Sequence, residues 1–188
     1  MSDKARQLIE AAIDLFASEG FWNTPTSRIA KHAGVATGTL FNYFESKELL
    51  IDAVYTQLKS EWMAHLLAGF PAGGSLKEKV EHIWFRHIDW GLRFPRRYSL
   101  MNQLKLSNLV SPETQQSQEA ELAFAYQMIV DGIAAGELVD APVAYIAQTF
   151  YAQLEAAVQY AGEEQLADMP LTRHITQGFA MLWKSITP

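Results

Sequence analysis

Apolar residues recur along the chain at the three-to-four-residue spacing of amphipathic helices. Ala5, Leu8, Ile9, Ala12, Ile13 and Phe16 mark a first helix, with Gly20 just past its end, where a cap with positive φ needs no side chain. Thr24 and Pro25 predict the start of a second, Thr24 as its cap and Pro25 in its first turn. That helix turns Ile29, Ala30 and Ala33 inward and stops at Gly34. A short third helix is expected from about Thr37 to Phe44. Ser46-Lys47-Glu48 opens a fourth, with Leu49, Leu50, Ala53, Val54 and Leu58 as its apolar positions. The run Gly69-Phe70-Pro71-Ala72-Gly73-Gly74-Ser75 breaks the pattern as a loop. Beyond it Leu76, Val80, Ile83, Trp84, His87, Gly91 and Phe94 share a face, widened by Phe85, Ile88 and Leu92. So broad an apolar arc predicts a helix in the middle of a bundle. Further helices are expected at about 96–108, 112–136, 142–161 and 171–186. No strand-like alternation, internal repeat or low-complexity tract stands out. The pattern predicts an all-α fold of about nine helices.

Composition narrows the class. Hydrophobic residues make up 49% of the 188, enough for a core and against intrinsic disorder. Cysteine is absent, which excludes disulfides, thiol nucleophiles and thiolate-held zinc, and fits a reducing compartment. The longest stretch free of Lys, Arg, Asp and Glu, Trp62–Leu76, has 15 residues, short of the roughly 20 needed to span a bilayer. Met1–Glu10 is polar, without the apolar run of a signal peptide. We therefore expect a soluble, cytoplasmic protein with no membrane partner. The net charge is −6: up to Ser60 there are 6 basic and 7 acidic residues, and beyond it 9 and 14. Contact with nucleic acid would have to come from local placement of charge.

Catalytic signatures are missing: no Gly-x-Ser-x-Gly, no phosphate-binding Gly-x-x-x-x-Gly-Lys and no His-Glu-x-x-His. His82 and His87 share a helix but lie about 140° apart around it, so they do not share a metal ion. No enzyme activity, cofactor or metal is expected. His87 reads as a pocket or core histidine.

Residues 24–47 carry more information. Two short helices are joined by Ala33-Gly34-Val35-Ala36, the grammar of a helix-turn-helix, whose second helix enters the DNA major groove while the first braces it. Gly38 allows close backbone approach, and Thr37, Thr39, Asn42 and Tyr43 supply small or flat hydrogen-bonding groups. Thr26, Ser27 and Lys47 lie at helix N-termini, where free N–H groups favour phosphate. Arg28, Lys31 and His32 add local positive charge.

These same residues carry a resemblance. Leu8-Ile9-Glu10-Ala11-Ala12-Ile13-Asp14-Leu15-Phe16-Ala17-Ser18-Glu19-Gly20-Phe21, then Thr24-Pro25-Thr26-Ser27-Arg28-Ile29-Ala30, then Ala33-Gly34-Val35-Ala36-Thr37-Gly38-Thr39-Leu40-Phe41-Asn42-Tyr43-Phe44-Glu45-Ser46-Lys47-Glu48-Leu49-Leu50 is similar to the DNA-binding domain of TetR/AcrR-type transcriptional regulators. The resemblance implies an all-α protein with a three-helix DNA-binding domain, residues 1–47. A helical bundle, residues 48–188, would hold an effector pocket and the homodimer contact. It implies a repressor released from operator DNA by a small molecule. By position, Thr26 and Ser27 would touch phosphate or groove edges. Ala36, Thr37, Gly38, Thr39 and Asn42 would face the major groove, Tyr43 and Lys47 would hold the DNA backbone, and Leu40 and Phe44 would be core. Many members carry Lys where Thr37 stands and Tyr where Phe41 stands, so one cationic contact and one phosphate-bonding hydroxyl are expected to be missing.

In the remainder, Trp62, Leu66, Trp84, His87, Trp90, Phe94, Tyr98, Met101, Phe124, Met128 and Tyr151 come from helices that would converge in such a bundle. They predict a mostly apolar pocket for an apolar or aromatic effector. His87, Arg93, Arg96 and Arg97 are the groups near enough in sequence to meet an anionic substituent. Apolar stripes on the last two helices predict a two-fold interface through Ala147, Phe150, Leu154, Ala157, Val158, Ile175, Phe179 and Leu182. The competing reading is an all-α ligand-binding protein or small enzyme without DNA binding.

Overall fold

The structure is a computed structural model that describes residues 2–188; Met1, the first residue of the polar N-terminal stretch, lies outside them. The described residues form ten α-helices and no strand: α1 (Asp3–Glu19), α2 (Thr26–His32), α3 (Thr37–Tyr43), α4 (Lys47–Leu67), α5 (Leu76–Arg93), α6 (Pro95–Leu106), α7 (Pro112–Ala120), α8 (Ala123–Ala134), α9 (Val143–Glu163) and α10 (Asp168–Ile186). None of them is long and apolar enough to cross a membrane. The expected helix over 112–136 is two helices. α7 is a polar segment, and at Leu122 the chain restarts: its carbonyl accepts from the N–H groups of Ala125 and Tyr126, opening the apolar α8.

By packing, the chain falls into two compact units, Met1–Glu61 with Phe94–Glu119, and Trp62–Arg93 with Ala120–Pro188. In the first, α1 packs on α2, α3 and α6, and α2 on α3. Its core takes Leu8, Ile13 and Phe16 of α1, Ile29 of α2, Leu40 of α3, Leu50 and Leu58 of α4 and Leu100 of α6, all fully buried. Those of α1, α2 and α4 are apolar positions of the periodic pattern, and Leu40 is the core residue that the resemblance implied. One polar clasp joins three helices of this unit. Arg97 of α6 donates to both carboxylate oxygens of Glu61 on α4 (3.0 and 2.8 Å) and to Glu10 on α1. Burial alone would lower the Arg97 pKa; the hydrogen bond to Glu10 and the charges of Glu61 and Glu10 outweigh it, so the guanidinium stays firmly protonated.

In the second unit α9 packs on α5, α8 and α10, and α10 also on α5. Trp84 is the anchor of the α5–α10 contact. Its Nε1–H donates to the Ile175 carbonyl at 3.0 Å, and its ring lies 6.4 Å from that of Phe179. α2, α8 and α9 end alike, in paired N–H bonds back to the last-turn carbonyls. Gly34 and Gly136 occupy the left-handed position after α2 and α8, with φ of 71° and 70°. After α9 that position is held by Gln165, with φ of 49°.

Candidate nucleic-acid interface and effector region

Inside the first unit the turn after α2 sets the helix-turn-helix. Val35 N–H donates to Ala30 carbonyl at 2.9 Å and Gly34 N–H to Lys31 carbonyl at 3.1 Å, which ends α2 and starts the chain towards α3. The caps differ from expectation. Pro25, not Thr24, is the N-cap of α2, and it makes no side-chain cap bond. Thr24 is fully buried and its hydroxyl donates back to the Gly20 carbonyl at 2.8 Å, closing the end of α1. Ala36 caps α3, again without a side-chain bond.

α3 divides cleanly by exposure. Leu40 is fully buried, while Ala36, Thr37, Gly38, Phe41, Asn42 and Tyr43 are exposed and Thr39 is half-buried. One fixed apolar anchor thus presents a polar outer surface made of the residues expected to read DNA. On α2, Ser27 and Arg28 are exposed and Thr26 is half-buried. Phe44 is half-buried.

Two of the expected cations are engaged within the protein. Arg28 pairs with Glu19 at 2.7 Å, which cancels charge at that spot. Lys47 donates from Nζ to the Phe21 carbonyl and lies 5.9 Å over the Phe16 ring. It therefore ties the start of α4 to the α1–α2 turn, a role its sequence position did not announce. An open groove between α1 and α2 is lined by Leu15, Ser18, Glu19, Ser27, Arg28, Lys31 and His32.

The expected effector residues are distributed over both units. Phe94, Tyr98 and Met101 belong to the first; Phe94 is exposed, Tyr98 half-buried and Met101 buried. The second holds Trp62, Leu66, Trp84, His87 and Trp90, all buried, and Phe124, Met128 and Tyr151, half-buried. It brings three of them together. Trp62 Nε1–H donates to His87 Nδ1 at 3.2 Å, and the His87 ring meets Tyr151 edge-on at 6.4 Å. A histidine that accepts at Nδ1 presents its neutral form there. Trp84 faces the other way, against α10. Of the expected anion-facing arginines, Arg97 is held by Glu10 and Glu61, and Arg93 by Asp89 at 2.8 Å. Asp89 also meets His65 at 2.9 Å, an α4–α5 bond between residues 24 apart that no local pattern signals. A shallow groove beside this region is lined by Gly69, Pro71, Glu78, Glu81, His82, Phe85 and Arg86, none of them an expected effector residue.

On the last two helices Leu154, Ala157, Val158, Phe179 and Leu182 are buried within the chain's own core. They have almost no area left to give a partner. Ala147, Phe150 and Ile175 are half-buried. The outward faces of α9 and α10 carry Tyr145, Tyr160, Met169 and Met181, which are strongly exposed.

A buried-anchor recognition helix on a short bracing helix, in an all-α chain, defines the class as helix-turn-helix proteins. The sequence profile of the bacterial regulatory proteins of the tetR family matches residues 8–54. The chain belongs to this family. It is 30% identical over 132 residues to the fatty acid metabolism regulator protein of Bacillus subtilis (strain 168), covering 69% of this chain and 66% of that one. It is 41% identical over 68 residues to the HTH-type transcriptional regulator RutR of Escherichia coli (strain K12), covering 36% of this chain and 32% of that one. The match thus spans two thirds or less of these curated relatives. A tetR family transcription regulator of known structure from Shewanella sp. PV-4 is 29% identical, with 100% of both chains aligned and a TM-score of 0.90.

Proposed function

We propose that the protein is a transcriptional regulator that binds double-stranded operator DNA as a homodimer in the cytoplasm, and that it is a repressor released by a small apolar or aromatic effector. One observation carries the reading. α3 buries Leu40 and turns Thr37, Gly38, Asn42 and Tyr43 outward, beside Thr26, Ser27 and Arg28 of α2. Thr37, Gly38, Thr39 and Asn42, with Ala36, read base edges; Tyr43 and Lys47 hold the phosphate backbone, which positions without specifying. The division of labour is 1–47 for DNA and 48–188 for effector and partner.

The effector reading rests on the Trp62–His87–Tyr151 cluster, an apolar setting with a few N–H and O–H groups. The Bacillus relative is named a fatty acid metabolism regulator, and an acyl chain falls in the apolar ligand class. α4 starts at the DNA head with Lys47 and ends with Trp62 and Leu66 in its last turns. A ligand bound against that end acts on the helix that carries the head. The expected coupling is about 1–3 kcal/mol, a 5–150-fold loss of DNA affinity, and operator DNA must weaken the ligand by the same factor. The outward faces of α9 and α10 supply the dimer contact.

The test is selection of preferred duplexes from a random-sequence DNA library. Enrichment of a two-fold related site supports the reading. No enrichment by a folded protein refutes it, and sedimentation as a monomer at micromolar concentration refutes the dimer.

A further inference from the structure

The turn between α1 and α2 is held more tightly than a connector requires. Gly20 N–H donates to the Phe16 carbonyl at 3.0 Å, and Thr24 Oγ1 donates to the Gly20 carbonyl at 2.8 Å. Asn23 Nδ2 reaches the Glu19 carbonyl at 3.4 Å, and Lys47 Nζ donates to the Phe21 carbonyl. Phe21 is buried, and its ring meets that of Trp22 at 5.4 Å. Yet Trp22 is 74% exposed. Among the described residues its indole N–H has no acceptor. A rigid turn therefore presents the largest side chain outward, one residue from the carbonyl that holds Lys47 and four residues ahead of Thr26. Tryptophan combines broad apolar area with one donor, so it favours surfaces that are partly apolar and partly polar. The sugar–phosphate backbone of a duplex is such a surface, with deoxyribose carbons beside phosphate acceptors. Holding the ring in place beforehand lowers the ordering cost of contact.

We propose that Trp22 is a DNA-backbone contact, its ring against a deoxyribose and its Nε1–H donating to a phosphate oxygen at the edge of the site held by α2, α3 and Lys47. The inference rests on the DNA-binding reading above and extends it to a residue outside the helix-turn-helix. The contact is sequence-independent. Because indole is uncharged it displaces no counterion, so it adds affinity without adding to the salt dependence.

The experiment measures binding of wild-type, Trp22→Ala and Trp22→Phe proteins to random-sequence duplex DNA over a range of salt. Acrylamide quenching of tryptophan emission is read with and without saturating duplex. Trp62, Trp84 and Trp90 are buried and Trp183 half-buried, so quenching reports chiefly on Trp22. Trp22→Ala should weaken every sequence about tenfold, the effect of one hydrogen bond to a charged group, with the slope against salt unchanged. Trp22→Phe should lose less, because it keeps a ring. DNA should shield wild-type emission from quenching. Unchanged affinity in Trp22→Ala, or emission as quenchable in the complex as in the free protein, overturns the proposal while the DNA reading stands. If the wild-type protein binds no duplex at all, both fall. The quenching arm uses the wild-type protein and decides the matter even if a variant misfolds.

Discussion

Gly178 lies against the Cζ2 edge of the Trp84 indole, and adding one methyl group there should unsettle the second unit. A Cβ at Gly178 would stand 2.8 Å from Trp84 Cζ2. Carbon pairs prefer roughly 3.5–4.0 Å, so the overlap is about 0.7–1.2 Å. The ring cannot swing aside. It is buried, and its N–H is held by the Ile175 carbonyl, three residues before Gly178 on the same helix. Two effects of Gly178→Ala then compete. Alanine gains roughly 1 kcal/mol of helix propensity over glycine. Overfilling a packed site costs about 1–3 kcal/mol. With a rigid neighbour the clash sits towards the upper end, so the net loss should be about 1–2 kcal/mol. Urea denaturation of the single variants and of Gly178→Ala with Trp84→Phe isolates the contact. The double variant should be about 1 kcal/mol more stable than the sum of the singles implies, because the smaller ring vacates the overlap. A Gly178→Ala protein as stable as wild type, or more so, would refute the reasoning.

Lys47→Ala should weaken all DNA sequences evenly, lower the salt slope by about one per subunit and also lower the melting temperature, since the ammonium holds the Phe21 carbonyl; salt-titrated binding and calorimetry check each part. Asn42→Ala should instead change which operator positions matter, read by repeating the library selection. Gln165→Gly should raise stability by about 1 kcal/mol in urea denaturation, because it removes a side chain from a left-handed backbone position. The Glu78 carboxylate is held below its ordinary 4.5 by the Ser75 backbone N–H and then the Ser75 hydroxyl. Its stabilisation of the α5 start is therefore present above that value and lost as pH falls through the lowered one. Amide protection factors in the first turn of α5, taken relative to the intrinsic exchange rate at each pH, should fall on acidification in the wild type and lack that step in Glu78→Gln.

The helices were legible because each is a local pattern. Leu8, Ile13 and Phe16 declare their faces by spacing alone, and Gly34 marks its turn by what glycine permits. The break at Leu122 was not legible, since Ala120, Leu122 and Ala123 continue a helical composition with no glycine or proline to mark a stop. Long-range partners were equally hidden. Nothing near Lys47 names the carbonyl of Phe21 as its acceptor, and nothing near Arg97 points to Glu10, 87 residues away. The stripes on α9 and α10 illustrate another limit. Periodicity says that Leu154 and Phe179 are covered, but not whether by this chain or by another, and here the chain covers them itself.

The first unit is discontinuous in sequence, and this constrains the order in which it can be completed during synthesis. When Glu61 leaves the ribosome, α1 to α3 are all present, yet Leu100 and Leu104 of α6 are still to come and Glu10 and Glu61 have no guanidinium between them. At roughly 5–20 residues per second, a few seconds pass before Phe94–Glu119 follows. Until then the face of α1 that α6 will cover is open to water, to chaperones or to a second nascent chain. A DNA-binding head cut off after α4 would stay in that condition for good, so its isolated affinity would understate that of the whole protein.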